Sequence, residues 1–187
     1  MKLTDRVRVL VPIVMCAAVG TGVWLSSSIA HSADAGAAAR DLQSNWKDVG
    51  RKLADMAADF PEDKYDWKPT PEVRSFAEQL LHAAGYANYV ADVAKGLRPT
   101  EQDPPRRNFK SKADVVAYVR KAFADGAKAI DATSDAKLQS TVDVGRSKPS
   151  VYGLWDSAVE HSGEHYGQLV VYYRVSKMVP PESRPRK

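Results

Sequence analysis

Four segments of this chain repeat apolar residues at spacings of three and four, and proline-bearing or glycine-bearing stretches separate them. That pattern leaves little room for anything but long helices packed on one another. In the first, from about Ala37 to Phe60, Trp46, Val49, Leu53 and Met56 share one side, and Pro61 ends the run. The second opens at "SFAE", where Ser75 and Glu78 fit a capping box in which each side chain takes a free backbone N–H. Thr70 before Pro71 is a second candidate start; the helix reaches about Lys95, with Gly96 as its stop. The third runs from about Lys112 to Ala132, with Val115, Val119, Phe123 and Ile130 on one side. The last spans about Val151 to Lys177 and leads into the polar tail "VPPESRPRK". No strand-like alternation extends beyond a few residues, and there is no internal repeat. The expected fold class is all-α, a four-helix bundle. Its last two connections, "GLRPTEQDPPRRNFKSK" and "TSDAKLQSTVDVGRSKPS", are long enough to permit crossovers.

A chain of 187 residues suits one domain with a real core. Its 44% apolar and 27% charged residues place it with globular rather than disordered proteins. The net charge is +4, but the cations are mixed with acids and form no basic block interleaved with aromatics, so nucleic acid is not an expected partner. The first 35 residues differ in kind. "MKLTDRVR" is basic, "VLVPIVMCAAVGTGVWL" is apolar, and "SSSIAHSADAGA" is small and polar. That is the layout of a secretory signal peptide over residues 1–35, with cleavage after Ala35 or Ala30. Residues 36–187 would then form the exported domain, periplasmic or secreted. The rival reading is an uncleaved membrane anchor over residues 9–25. The single cysteine, Cys16, lies in the apolar run. The domain itself therefore has no disulfide, cysteine zinc site, iron–sulfur cluster or thiol nucleophile.

The chain has four histidines. His31 falls in the signal segment, and His82, His161 and His165 each fall inside an expected helix. Side chains four apart on a helix share a face, so His161 and His165 point the same way, on a stripe with Leu154, Ala158, Gln168 and Tyr172. His82 shares its stripe with Ser75, Gln79, Tyr86, Tyr89 and Val93. Burying three imidazoles costs free energy unless each has a partner, and a divalent metal would supply one to all three. Three nitrogen ligands leave coordination positions open, the mark of a reactive rather than a structural site. The competing reading is three hydrogen-bonded core histidines. Ferritin-like di-iron chemistry is excluded, because it needs Glu-x-x-His on two helices. Gln79, Ala158 and Ser162 stand three residues before His82, His161 and His165.

Three stretches resemble the DinB/YfiT-like metalloenzyme family. "DWKPTPEVRSFAEQLLHAAGYANYV" is similar to its tryptophan loop, helix start and first histidine. "HSGEHYGQLVVYYR" is similar to its last-helix motif, and "MVPPESR" to its ending. The resemblance covers about residues 40 to 184. It implies a bundle wired up-down-down-up and a divalent metal, zinc or nickel before iron or others, held by His82, His161 and His165. It also implies thiol-dependent transferase or isomerase chemistry, which the export signal puts in question.

The expected activity is metal-dependent hydrolysis or transfer on a small-molecule substrate. The alternative is a non-catalytic bundle that binds the metal or is stapled by it. Candidate proton shuttles are Glu164, Glu160 and Glu78, each also readable as solvated helix surface. Gln168, Tyr86 and Tyr172 are candidates to orient the imidazoles, and Trp67 either lines a substrate mouth or caps the bundle. No catalytic residue stands out. Membrane contact is expected only through the N-terminal segment, and a homodimer is an option.

Overall fold

The computed structural model describes residues 22–185. The described chain is all-helical. Its elements are α1 (Gly22–Asp59), α2 (Phe76–Ala94), α3 (Lys112–Asp131), the short α4 (Asp135–Gln139) and α5 (Val151–Val175), with three single-turn 3₁₀ segments. Helices α1 and α2 each pack on both α3 and α5, and barely meet each other. The expected signal peptide lies outside the described residues for positions 1–21, as does most of the expected anchor at 9–25. Among the described residues no helix is long and apolar enough to cross a membrane.

Local chemistry sets the ends of α2, α3 and α5. Ser75 and Glu78 form the expected capping box, with the Ser75 side chain accepting from Glu78 N–H and the Glu78 carboxylate from Ser75 N–H. At the other end Gly96 takes φ 73°. Leu97 N–H then reaches Asp92 carbonyl and Gly96 N–H reaches Val93 carbonyl, both at 2.9 Å, which closes the helix in a Schellman motif. Ser111 and Asp114 make a second capping box on α3, and Ser150 caps α5. Two differences from the sequence reading appear. Helix α1 starts at Gly22 rather than near Ala37, because the alanine-rich stretch "AHSADAGAAAR" holds no proline and favours helix. The connection after α3 contains α4, which Ser134 caps.

The core is a row of aromatic rings between the helices. Trp46 of α1 is fully buried, and its Nε1 donates to Phe123 carbonyl at 2.9 Å. Its ring meets Phe123 of α3 and Trp155 of α5, each at 5.1 Å between centroids. Gly126 makes room for it, since a Cβ there would stand 2.4 Å from the indole. Just past the end of α1, Phe60 stacks on Phe76 at 3.8 Å and meets Tyr173 edge-on. Burying a large apolar side chain of this kind contributes about 3 kcal/mol. Leu42, Val49, Leu53 and Met56 complete the buried face of α1.

Candidate metal centre

His82 stands in the middle of α2, and His161 and His165 occupy successive turns of α5, which packs against it. The structure brings the three rings together. One ring nitrogen from each lies within 4.8 Å of the other two. The ring centroids are 5.0 Å apart for His82 and His161, 4.8 Å for His82 and His165, and 4.5 Å for His161 and His165. His165 is buried at 4% exposure, while the His82 and His161 side chains keep 13% and 25% of theirs.

Each ring has different support at Nδ1. His165 Nδ1 donates to Gln79 Oε1 at 2.8 Å, and Gln79 is itself buried. An amide oxygen only accepts, so Nδ1 carries the proton and Nε2 keeps its lone pair. His82 Nδ1 lies 2.7 Å from Asp103 Oδ1. His161 Nδ1 is 3.9 Å from Glu164 Oε2, too long for a hydrogen bond, and Tyr86 covers the His161 ring at 4.3 Å between centroids. Burial, followed by the neighbouring His161 and His82, pushes the His165 pKa down to about 4. Burial and His82 lower His161 as well. At neutral pH both rings are therefore neutral, the form that binds metal.

The donor set fits a single divalent ion. His161 Nε2 and His165 Nε2 face each other at 3.1 Å. Two nitrogens held about 2.0–2.1 Å from one metal stand roughly 3 Å apart. Without an ion, the same contact is met by one N–H donating to the other nitrogen's lone pair. Among the described residues, the cluster holds these three ligand side chains and no fourth.

The remaining candidates from the sequence fall in different places. Gln168 is exposed, and the two His165 ring nitrogens are taken by Gln79 and His161. The buried amide on that ring is Gln79, which the sequence reading placed only on the His82 stripe. Tyr172 donates its hydroxyl to Arg74 carbonyl. Glu78 is engaged by Ser75 and by Lys68 at 3.4 Å, and the Ser75 backbone N–H in particular lowers its pKa. Glu160 and Glu164 are exposed. Trp67 packs edge-on against Tyr172 at 5.9 Å and lines a shallow pocket with Lys64 and Val175, away from the histidines. That is the capping role.

Asp103 is the residue that sequence reasoning missed. It lies in the α2–α3 linker, and Gly85 decides where that linker runs. A Cβ on Gly85 would sit 2.1 Å from Gln102 carbonyl oxygen and 2.9 Å from Pro104 Cδ. Only glycine lets the linker backbone lie that close to α2, three residues past His82. Asp103 also borders a polar cleft of about 390 Å³ together with Lys68, Arg74 and Arg106. A glycine three residues past a histidine, facing an Asp-Pro-Pro linker, was the one available signal.

The comparisons with known proteins bear on this arrangement. A crystal structure of YjoA, a DinB-like protein from Bacillus subtilis, superposes with a TM-score of 0.63 at 20% identity, covering 79% of this chain and 99% of that one. A DinB-like protein from Bacillus cereus ATCC 10987 gives 0.62 at 16% identity, covering 75% of this chain and 93% of that one. These likenesses establish a shared fold. None of the curated proteins matches the chain. The sequence model of the DinB superfamily matches residues 45–169, a span that contains Trp46, Phe60, Phe76, Phe123 and Trp155 of the aromatic core and all three histidines. On that match, this chain belongs to the DinB superfamily.

Proposed function

We propose that this chain is an exported protein that binds one divalent metal ion, zinc or nickel first, through His82, His161 and His165. It would use the ion in hydrolysis or group transfer on a small molecule. The observation that carries the reading is the convergence of three imidazoles, two of them neutral by burial, with acceptors fixing two of the Nδ1 atoms. When bound, a divalent ion with three neutral ligands supplies Lewis-acid polarisation of a substrate oxygen or sulfur. The chain's own residues do the rest. Gln79 and Asp103 orient the rings, Tyr86 walls His161, and Glu164 Oε2 is the carboxylate oxygen beside His161 that could accept a proton. Export is supported by the N-terminal charge and hydropathy layout. The helices are read as a four-helix bundle wired up-down-down-up, supported by the packing of α1 and α2 on both α3 and α5.

A second reading is a non-catalytic, metal-stapled bundle. The observation on its side is that the polar cleft beside the site is lined by Asp103 and Arg74 but by none of the three histidines. The first test is metal content by mass spectrometry on purified wild type and His161→Ala. About one ion per chain in wild type and a large loss in the variant is the expected result. Equal, near-zero metal in both would defeat either reading.

A further inference from the structure

We propose that Asp103 is the positioning residue of the metal site: from the α2–α3 linker it fixes His82 with Nδ1 protonated, leaving Nε2 as the free ligand nitrogen. The proposal rests on the three-histidine reading above. An ionised carboxylate has only acceptor sites, so the 2.7 Å contact between Asp103 Oδ1 and His82 Nδ1 requires the proton on Nδ1. A carboxylate that holds a ligand imidazole in this way sets its tautomer and ring orientation and raises its basicity.

An Asp side chain that is 58% exposed would ordinarily turn freely in water. Three features hold this one. Arg74 Nη2 reaches both of its oxygens, at 3.3 and 3.4 Å, and Arg74 is anchored by the Tyr172 hydroxyl on its carbonyl. On either side of Asp103, the Gln102 carbonyl and the Pro104 ring are seated on Gly85. Pro104 follows directly and restricts Asp103 to extended backbone. The segment before α2, the linker and α2 itself thus meet at one carboxylate, and α5 braces the first of them through Tyr172. The three ligands also differ in a useful way. His165 is held by a neutral amide and His161 by nothing within bonding distance at Nδ1, so His82 is the ligand with anionic support.

The test uses the full chain labelled with ¹⁵N-histidine. In chelator-treated protein at pH 8, long-range ¹H–¹⁵N correlation reads each tautomer. Wild-type His82 should be protonated at Nδ1, and Asp103→Ala should move it toward the Nε2-protonated form. Zinc affinity, measured by competition with a chromophoric chelator, should fall 10- to 100-fold in Asp103→Ala. Asp103→Asn keeps an acceptor oxygen and should lie between the two. An identical His82 tautomer in wild type and Asp103→Ala overturns the proposal, as do zinc affinities within about twofold when wild type binds zinc. If wild type takes up neither zinc nor nickel, the metal reading fails, and the tautomer comparison still decides the role of Asp103.

Discussion

Replacing Gly85 with alanine sets two magnitudes against each other, and the structure says which is larger. In a helix interior alanine is favoured over glycine by about 1 kcal/mol. At this position, however, the added Cβ meets backbone, 2.1 Å from Gln102 oxygen and 2.8 Å from Gln102 carbon. Ordinary contact needs more than 3.4 Å, so the linker must retreat by more than an ångström. Overpacking of this kind costs about 1–3 kcal/mol. The retreat also carries Asp103 out of bonding range of His82, and losing that hydrogen bond costs about 1 kcal/mol more. The net expectation is a destabilisation of about 1–3 kcal/mol, which at about 2–4 °C per kcal/mol lowers Tm by several degrees for a chain of this size. The assay is thermal unfolding followed by circular dichroism, with Gly163→Ala beside it. Gly163 lies in α5 with nothing within 4 Å of its would-be Cβ, so there the propensity gain acts alone and Tm should rise by a few degrees. Two variants of identical chemistry should therefore move in opposite directions. If Gly85→Ala is as stable as wild type or more so, the seating of the linker on α2 is refuted, and with it the structural account of Asp103.

Acid should weaken the chelator-treated protein through His165. Its folded pKa of about 4 lies below the ordinary histidine value of 6.5, so its stabilising contribution is complete above about pH 6.5 and is lost as pH falls toward 4. Linkage puts the loss at about 2 kcal/mol by pH 5; urea unfolding of wild type and His165→Gln should diverge by that amount between pH 7.5 and 5, whereas parallel curves would contradict it. Metal affinity should fall over the same window, because protonated imidazole does not bind, and flat affinity from pH 7.5 to 5 would argue against histidine ligation. Saturating zinc should raise Tm in wild type and not in His161→Ala. Where α1 ends, Arg184 grips Asp59 with both terminal guanidinium nitrogens at 2.7 and 2.6 Å and holds its carboxyl below the usual range. Because the pair is solvent-screened, Arg184→Ala should cost only about 0.5–1 kcal/mol at pH 7. That difference should shrink as acid protonates Asp59, at a pH below the usual carboxylate range, which a urea series run downward from pH 7 would check.

Much of this protein is legible in one dimension because the determining forces are local. The serine caps of α2, α3 and α5 act within three residues, Gly96 closes α2 through its own positive φ, and the stripe Trp46, Val49, Leu53, Met56 is a matter of helical period. The same period placed His161 and His165 on one face. What no local rule contains is which faces meet. Gln79 looked like a neighbour of His82 on α2, yet it serves His165 on α5, 86 residues away. Asp103 sits in the linker with no local motif to mark it, yet it reaches His82 because α2 offers a glycine where the backbone can settle. The stripe position of Gln168 said nothing of its exposure, since exposure depends on what packs opposite. Period and capping are properties of a helix by itself, and the sequence determined those. Support at the imidazoles depends on contacts between elements far apart in the chain, and only the packed tertiary structure decides them.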